Sequence, residues 1–231
     1  VSIRLANKFI LTPKGLDTVG KVTHSGEPKM NLVFGDRVYV DFFRSDYKDT
    51  VQVGQKFYVI RRIKNVDNPA GGGTIGTLIK KKAVVQVTDI RSSPRNKRKL
   101  VFEGVVTDAE ESIQRGDRLI PYKPEIRNLV PHFTDTLITG HIAEGDKQQL
   151  MISNNDFVFL NIGLKDGVKD GLQLYVVRRG DGIDFGGDKH LPDVPVARVM
   201  IVEAWDTVST AYVVSLDQAL VIGDRLTTVV E

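Results

Sequence analysis

The sequence predicts an all-β chain: two tandem, duplicated antiparallel β-barrel or sandwich modules, with a single short helical turn near the end of each. Three observations carry this. Val51–Arg62 and Val168–Arg179 read VQVGQKFYVIRR and VKDGLQLYVVRR, identical at six of twelve aligned positions. Each copy sets a turn glycine before an apolar, β-branched and aromatic run that closes on two arginines, the composition of a strand. Elsewhere the apolar residues come in runs of about six, such as Ala83–Thr88 and Ala197–Val202, separated by Gly, Asn and Asp. No segment keeps a helical period of about 3.6 residues for even twelve positions.

Four anchors recur in one order. Gly20-Lys21-Val22 and Gly140-His141-Ile142 each open a strand, and Asp36–Val40 and Asp156–Leu160 follow at the same offset of 120 residues. The YVIRR and YVVRR strands come next at an offset of 117, and Gly116–Leu119 and Gly223–Leu226, both GDRL, close the series at 107. A conserved order with a slowly shrinking offset reads as an internal repeat. Thr107–Glu110 and Ser215–Gln218 both spell S/T-x-x-E/Q, the capping-box spacing, so a helical turn is expected before each GDRL.

Three prolines, Pro121, Pro124 and Pro131, stiffen the stretch between the halves. The expected division is therefore residues 1–122 for the first module with an N-terminal extension, 123–135 for the connector and 136–231 for the second module. Each half is long enough to bury its own core. Val1 is followed by no basic-then-apolar leader, so the chain is expected to be a processed or excised segment. No apolar run approaches the roughly 18–20 residues of a membrane span. There is no cysteine, which removes disulfides, thiolate metal sites and cysteine nucleophiles.

The net charge of +3 hides one concentrated patch. Lys80, Lys81, Lys82, Arg91, Arg95, Lys97, Arg98 and Lys99 face a single acid, Asp89, giving +7 and leaving 3 − 7 = −4 for the rest. Between Ile90 and Leu100 the first module inserts RSSPRNKRK where the second turns in Trp205–Thr210. Lengthening a loop costs little, about 0.6 kcal/mol per doubling, so the fold hardly constrains this insertion. It is either an anion-binding arm for nucleic acid, anionic glycan or lipid headgroups, or a solvated hairpin tip; the lack of interleaved aromatics weighs toward the tip. Trp205, the only tryptophan, is a candidate for stacking on a partner, with packing beneath its turn the alternative.

Other motifs reduce to architecture. Arg115-Gly116-Asp117 spells an adhesion tripeptide, but the second copy carries Ile222 in the arginine's place, so the shared GDRL accounts for the other two residues. Gly71–Gly76 fits G-x-G-x-x-G without the strand before it and helix after it that a dinucleotide site requires. Asp181, Asp184 and Asp188 lack the spacing of a calcium loop. His24, His132, His141 and His190 show no zinc-type pairing, and there is no G-x-S-x-G. Glu110 and Glu111 are read as acids of a helix's first turn. No catalytic residue, metal or cofactor is expected, and the chain is read as a non-enzyme.

Phe9–Val22 followed by Phe34–Asp41 resembles the region after the LysM module in peptidoglycan-binding envelope proteins of Gram-negative bacteria. The tail of each repeat is similar to the C-terminal β-module of the flagellar assembly protein T family, here Gly167–Gly171, Tyr175–Val177 and Gly223–Leu226. The resemblance implies a non-enzymatic, periplasmic module tethered to peptidoglycan by a LysM neighbour outside this segment, or bound to envelope proteins. Nucleic-acid or anionic-polymer binding through Lys80–Lys99 is the alternative.

Overall fold

A computed structural model describes residues 2–4, 9–13, 18–43, 45–97, 99–123, 126–146, 151–180 and 190–230. The chain is all-β. Its strands are β1 (Ser2–Arg4), β2 (Phe9–Pro13), β3 (Gly20–Ser25), β4 (Arg37–Phe42), β5 (Lys56–Asp67), β6 (Thr74–Ser92), β7 (Leu100–Ala109) and β8 (Arg118–Pro121). They continue with β9 (Ile126–Asn128), β10 (Thr139–Gly145), β11 (Phe157–Leu160), β12 (Gln173–Arg179), β13 (Asp193–Ala204), β14 (Ser209–Leu216) and β15 (Arg225–Thr227). Among the described residues the helical pieces are α1 (Ser45–Thr50) and one 3-10 turn, Leu164–Asp166. Among the described residues no helix is long and apolar enough to cross a membrane.

The chain forms two compact units. The larger comprises Val1–Gly15, Ile63–Leu78 and Glu125–Glu231, and the smaller Leu16–Arg62 and Ile79–Pro124. The boundary therefore cuts through β5 and β6, whose stem belongs to the smaller unit and whose tip belongs to the larger.

In the larger unit six antiparallel strands close into a barrel in the order β10-β11-β14-β13-β12-β15. Ile142, Val158, Leu160, Leu174, Val176, Val199, Ile201, Val213 and Leu226 fill its core. The unbroken apolar runs of β11 and β13 have a simple cause: both faces are covered, as in any strand buried on two sides. On β13, Val199 and Ile201 point into the barrel, while Met200 and Val202 pack with Leu129 and Phe157. On β11, Val158 and Leu160 point inward, and Phe159 packs with Leu11 of β2, Val66 and Leu78 of the β5–β6 tip, and Val208. β2 lies against Thr74–Leu78 so closely that a Cβ on Gly76 would come within 2.2 Å of the Thr12 carbonyl oxygen, which explains the glycine. Lys64 pairs with the buried Glu144, and Asn161 donates to Asn68 at 2.7 Å.

In the smaller unit β5, β8, β3, β4, β7 and β6 are neighbours in that order, and β6 also pairs with β7, so the pairings form a continuous ring. The order is the one found in the larger unit, strand for strand. Register agrees as well: Gly20 faces Leu119 as Gly140 faces Leu226, and Val59 faces Leu119 as Val176 faces Leu226. The core is more aromatic, with the Phe42 ring centroid 5.0 Å from those of both Phe57 and Phe102. Register shifts on β3–β4, β6–β7, β10–β11 and β13–β14 supply the bends that closing a small sheet requires.

The two capping-box spacings do not start helices. Thr107 is still in β7, and its hydroxyl donates to the Val84 carbonyl at 3.4 Å. The next N–H groups hook onto one carbonyl of the neighbouring strand: Glu110 and Glu111 both donate to Lys82 O, and Asp217 and Gln218 both donate to Val196 O. Donors that a helix start would leave orphaned are thus satisfied across the sheet. The helical pieces sit elsewhere, between β4 and β5 in one half and between β11 and β12 in the other.

Candidate functional site

Four turns share one construction and place most of the recurrent polar residues. Each precedes a strand: Val33–Asp36 before β4, Gln114–Asp117 before β8, Ser153–Asp156 before β11 and Val221–Asp224 before β15. The aspartate accepts from the N–H three residues back at 2.9, 2.9, 2.9 and 2.8 Å in that order. The residue before it has a left-handed backbone, with φ of 84°, 94° and 98° at Gly35, Gly116 and Gly223 and 66° at Asn155. Glycine adopts this conformation freely, and asparagine is among the few side chains that tolerate it. Each turn then exchanges a reciprocal pair of backbone hydrogen bonds with a neighbouring strand, at Val106, Val22, Val213 and Ile142 respectively.

The closing turns of the two halves carry a cation as well. In the larger unit Arg178 Nε donates to Asp224 Oδ1 at 2.9 Å and Arg178 Nη2 to Oδ2 at 2.7 Å. The same guanidinium reaches Gln218 Oε1 and the Ala219 carbonyl. In the smaller unit Lys82 Nζ takes this role, 2.6 Å from Asp117 Oδ2, and Arg61, the counterpart of Arg178, stands 3.9 Å away. The paired arginines and the GDRL motif are therefore two ends of one contact. Sequence reasoning missed it, although both motifs were visible and co-occurred in each half. The same contact removes the adhesion reading, since the aspartate of Arg115-Gly116-Asp117 is held by Lys82.

The eight basic residues of the sequence patch separate into groups. Lys80 pairs with Glu111 and holds that carboxyl below its usual range. Lys81 is buried, with Nζ 5.2 Å from the centre of the Tyr58 ring, and Lys82 is buried against Asp117. Arg91 is held by Glu103 at 2.8 Å and Asp89 at 3.4 Å. Arg95, Lys97 and Lys99 lie together on the exposed tip between β6 and β7, and Arg98 lies outside the described residues.

Trp205 is half-buried in the β13–β14 turn. Its backbone N–H donates to Val208 O at 2.9 Å, its backbone carbonyl accepts from Leu164 N–H at 2.8 Å, and its side chain packs beside Leu11, Val66 and Phe159. It is part of the core beneath the turn. Gly71–Gly73 form the exposed end of the β5–β6 hairpin, and strand rather than helix follows. Asp181, Asp184 and Asp188 lie outside the described residues. Among the described residues no three His, Asp or Glu side chains are placed to hold a metal ion. His141 faces Arg225 across β10–β15, and burial first, then the guanidinium, lowers its pKa.

Apolar exposure is concentrated at turns. Met30, 85% exposed, precedes the first aspartate turn, and Phe34, 71% exposed, lies within it. Beside it Lys29 pairs with Asp36 and, together with the Val33 N–H, holds that carboxyl below its usual range. The sequence matches no known protein family, and no curated protein is similar to it.

Proposed function

We propose that this chain is a non-enzymatic structural and interaction module of a peptidoglycan-associated cell-envelope protein, built by duplication of one six-stranded β-unit. The observation that carries the reading is the fate of the charged residues common to both halves. Asp117 and Asp224, with their cations Lys82 and Arg178, pin the turns that close each ring. They are held in internal contacts rather than converging on a space where a substrate could sit. The shared order of strand pairings supports duplication, and the resemblance to the region following LysM modules supports the periplasmic envelope as its compartment and peptidoglycan as the anchor of a neighbouring module.

Two measurements test this. Purified chain incubated with intact peptidoglycan sacculi is expected to release no soluble muropeptides by chromatography; sustained release would overturn the non-enzymatic reading. Fractionation of cells producing the protein from its own gene is expected to place it with the periplasm and envelope. Recovery in the cytosol alone would overturn the compartment.

A further inference from the structure

We propose that the tip between β6 and β7 is a docking point for a flexible linear polyanion of the polyphosphate class. The last pair of the hairpin is Ser92 with Leu100, and the turn beyond it is braced from within. Ser93 N–H donates to Lys99 O at 2.7 Å, Lys99 N–H to Asn96 O at 2.9 Å and Asn96 N–H to Ser93 O at 3.2 Å. Arg95, Lys97 and Lys99 thus stand on an ordered scaffold, which lowers the entropy lost when they engage a ligand.

Their charge is uncommitted. None of the three has an ion-pair partner among the described residues, whereas Lys80, Lys82 and Arg91 each have one. The segment from Ser92 to Phe102 contains no acid, and the flanking Asp89 and Glu103 are held by Arg91. Ring closure does not require such a tip. The β13–β14 turn, at the matching place in the larger unit, needs only Trp205–Val208 and packs into its own core without a cation.

The ligand class follows from what the tip has and lacks. No aromatic side chain lies between Ser92 and Leu100, so bases have nothing to stack on. No long apolar residue other than Leu100 is available to enter a bilayer. A convex tip meets a stiff duplex, with its persistence length of about 150 base pairs, at few points. A flexible chain of closely spaced phosphates can fold around it and reach all three cations. The remainder of the protein outside Lys80–Lys99 carries 3 − 7 = −4, so the tip is where such a chain is attracted.

The test is binding of fluorescently labelled long-chain inorganic polyphosphate to the whole protein, followed by anisotropy across a salt series. Three contacts predict a log–log salt slope of about −2, at roughly −0.7 per contact for a flexible strand. The triple variant R95S/K97S/K99S is expected to lose affinity by about tenfold or more at low salt. The control K48S/K165S/K169S removes the same charge away from the tip, at the exposed Lys165 and Lys169 and the partly exposed Lys48 beside Asp41, and is expected to bind as the parent does. Thermal unfolding of both variants shows that each is folded. Equal loss in both triples, no binding by the parent at low salt, or tighter binding to anionic phospholipid vesicles or duplex DNA would overturn the proposal. Its failure would leave the envelope-module reading untouched, since that reading rests on the closing turns and not on this tip.

Discussion

Replacing Arg178 by Met tests whether the closing contact of the larger unit holds the barrel together. The substitution keeps most of the side chain's apolar stem and removes the guanidinium from a carboxylate whose side chain is only 1% exposed. Breaking a buried pair from one side costs about 3–5 kcal/mol, because the remaining charge is left desolvated. Asp224 retains the Val221 N–H, which places the expected loss near the lower figure, about 3 kcal/mol. Asp224→Asn is the informative comparison. Its amide oxygen can still accept from Val221, and the guanidinium, 14% exposed, can turn toward water, so about 1–2 kcal/mol is expected. At about 3 °C per kcal/mol for a unit of this size, melting should fall by about 9 °C for R178M and about 3–6 °C for D224N. The double variant R178M/D224L should be more stable than R178M alone, since no buried charge remains unpaired. Calorimetry or circular dichroism of the four proteins decides it. If D224N proves as damaging as R178M, or if neither costs more than about 0.5 kcal/mol, the contact is not what holds the turn.

Gly223→Ala should cost about 1–2 kcal/mol in the same assay, because its left-handed backbone rather than any neighbour disfavours a Cβ; Gly223→Asn should cost visibly less, as Asn155 occupies the matching place at φ 66°. His141 is less basic in the folded chain than in the unfolded one, so the unfolded state binds more protons and stability should fall as pH drops below about 6.5. His141→Gln should flatten that part of the melting-temperature profile, and an unchanged slope would refute it. Phe159→Ala, at a fully buried ring, should cost about 3–5 kcal/mol. Trp205 emission should report this loss directly: it packs in the same cluster, and its fluorescence should shift to the red on unfolding at a lower temperature in the variant.

The sequence discloses what recurs, because recurrence marks backbone requirements. Each GD pair announces a left-handed turn, and each YV(I/V)RR announces a strand, so element types and their order were legible. What escaped depended on partners distant in sequence. Lys82 reads as one cation in a run of three, yet its partner Asp117 lies 35 residues on, and folding turns a basic patch into a buried pair. The capping-box spacing at Thr107–Glu110 was present, but a single carbonyl, Lys82 O, outcompetes helix formation by accepting two successive N–H groups. The reach of β5 was hidden for another reason: beyond Arg62 the strand is exposed until Val66, the one residue there that joins a core.

The four aspartate turns explain why the two halves differ where they do. A bridge pairs Leu32 with Ile113 in one half and Ile152 with Leu220 in the other, and each of these residues immediately precedes an aspartate turn. Turn, bridge and reciprocal strand bonds together fix how a chain enters the second and last strands of each ring, so substitutions there cost hydrogen bonds as well as packing. The β6–β7 and β13–β14 connections carry no such constraint, and loop closure penalises extra length only weakly. One of these connections is a four-residue turn sealed by Trp205 and Val208; the other is a braced turn bearing Arg95, Lys97 and Lys99. A difference tolerated by the architecture and concentrated in exposed charge that has no ion-pair partner among the described residues marks the place where the two halves offer different surfaces, and so the place where partner binding should be sought first.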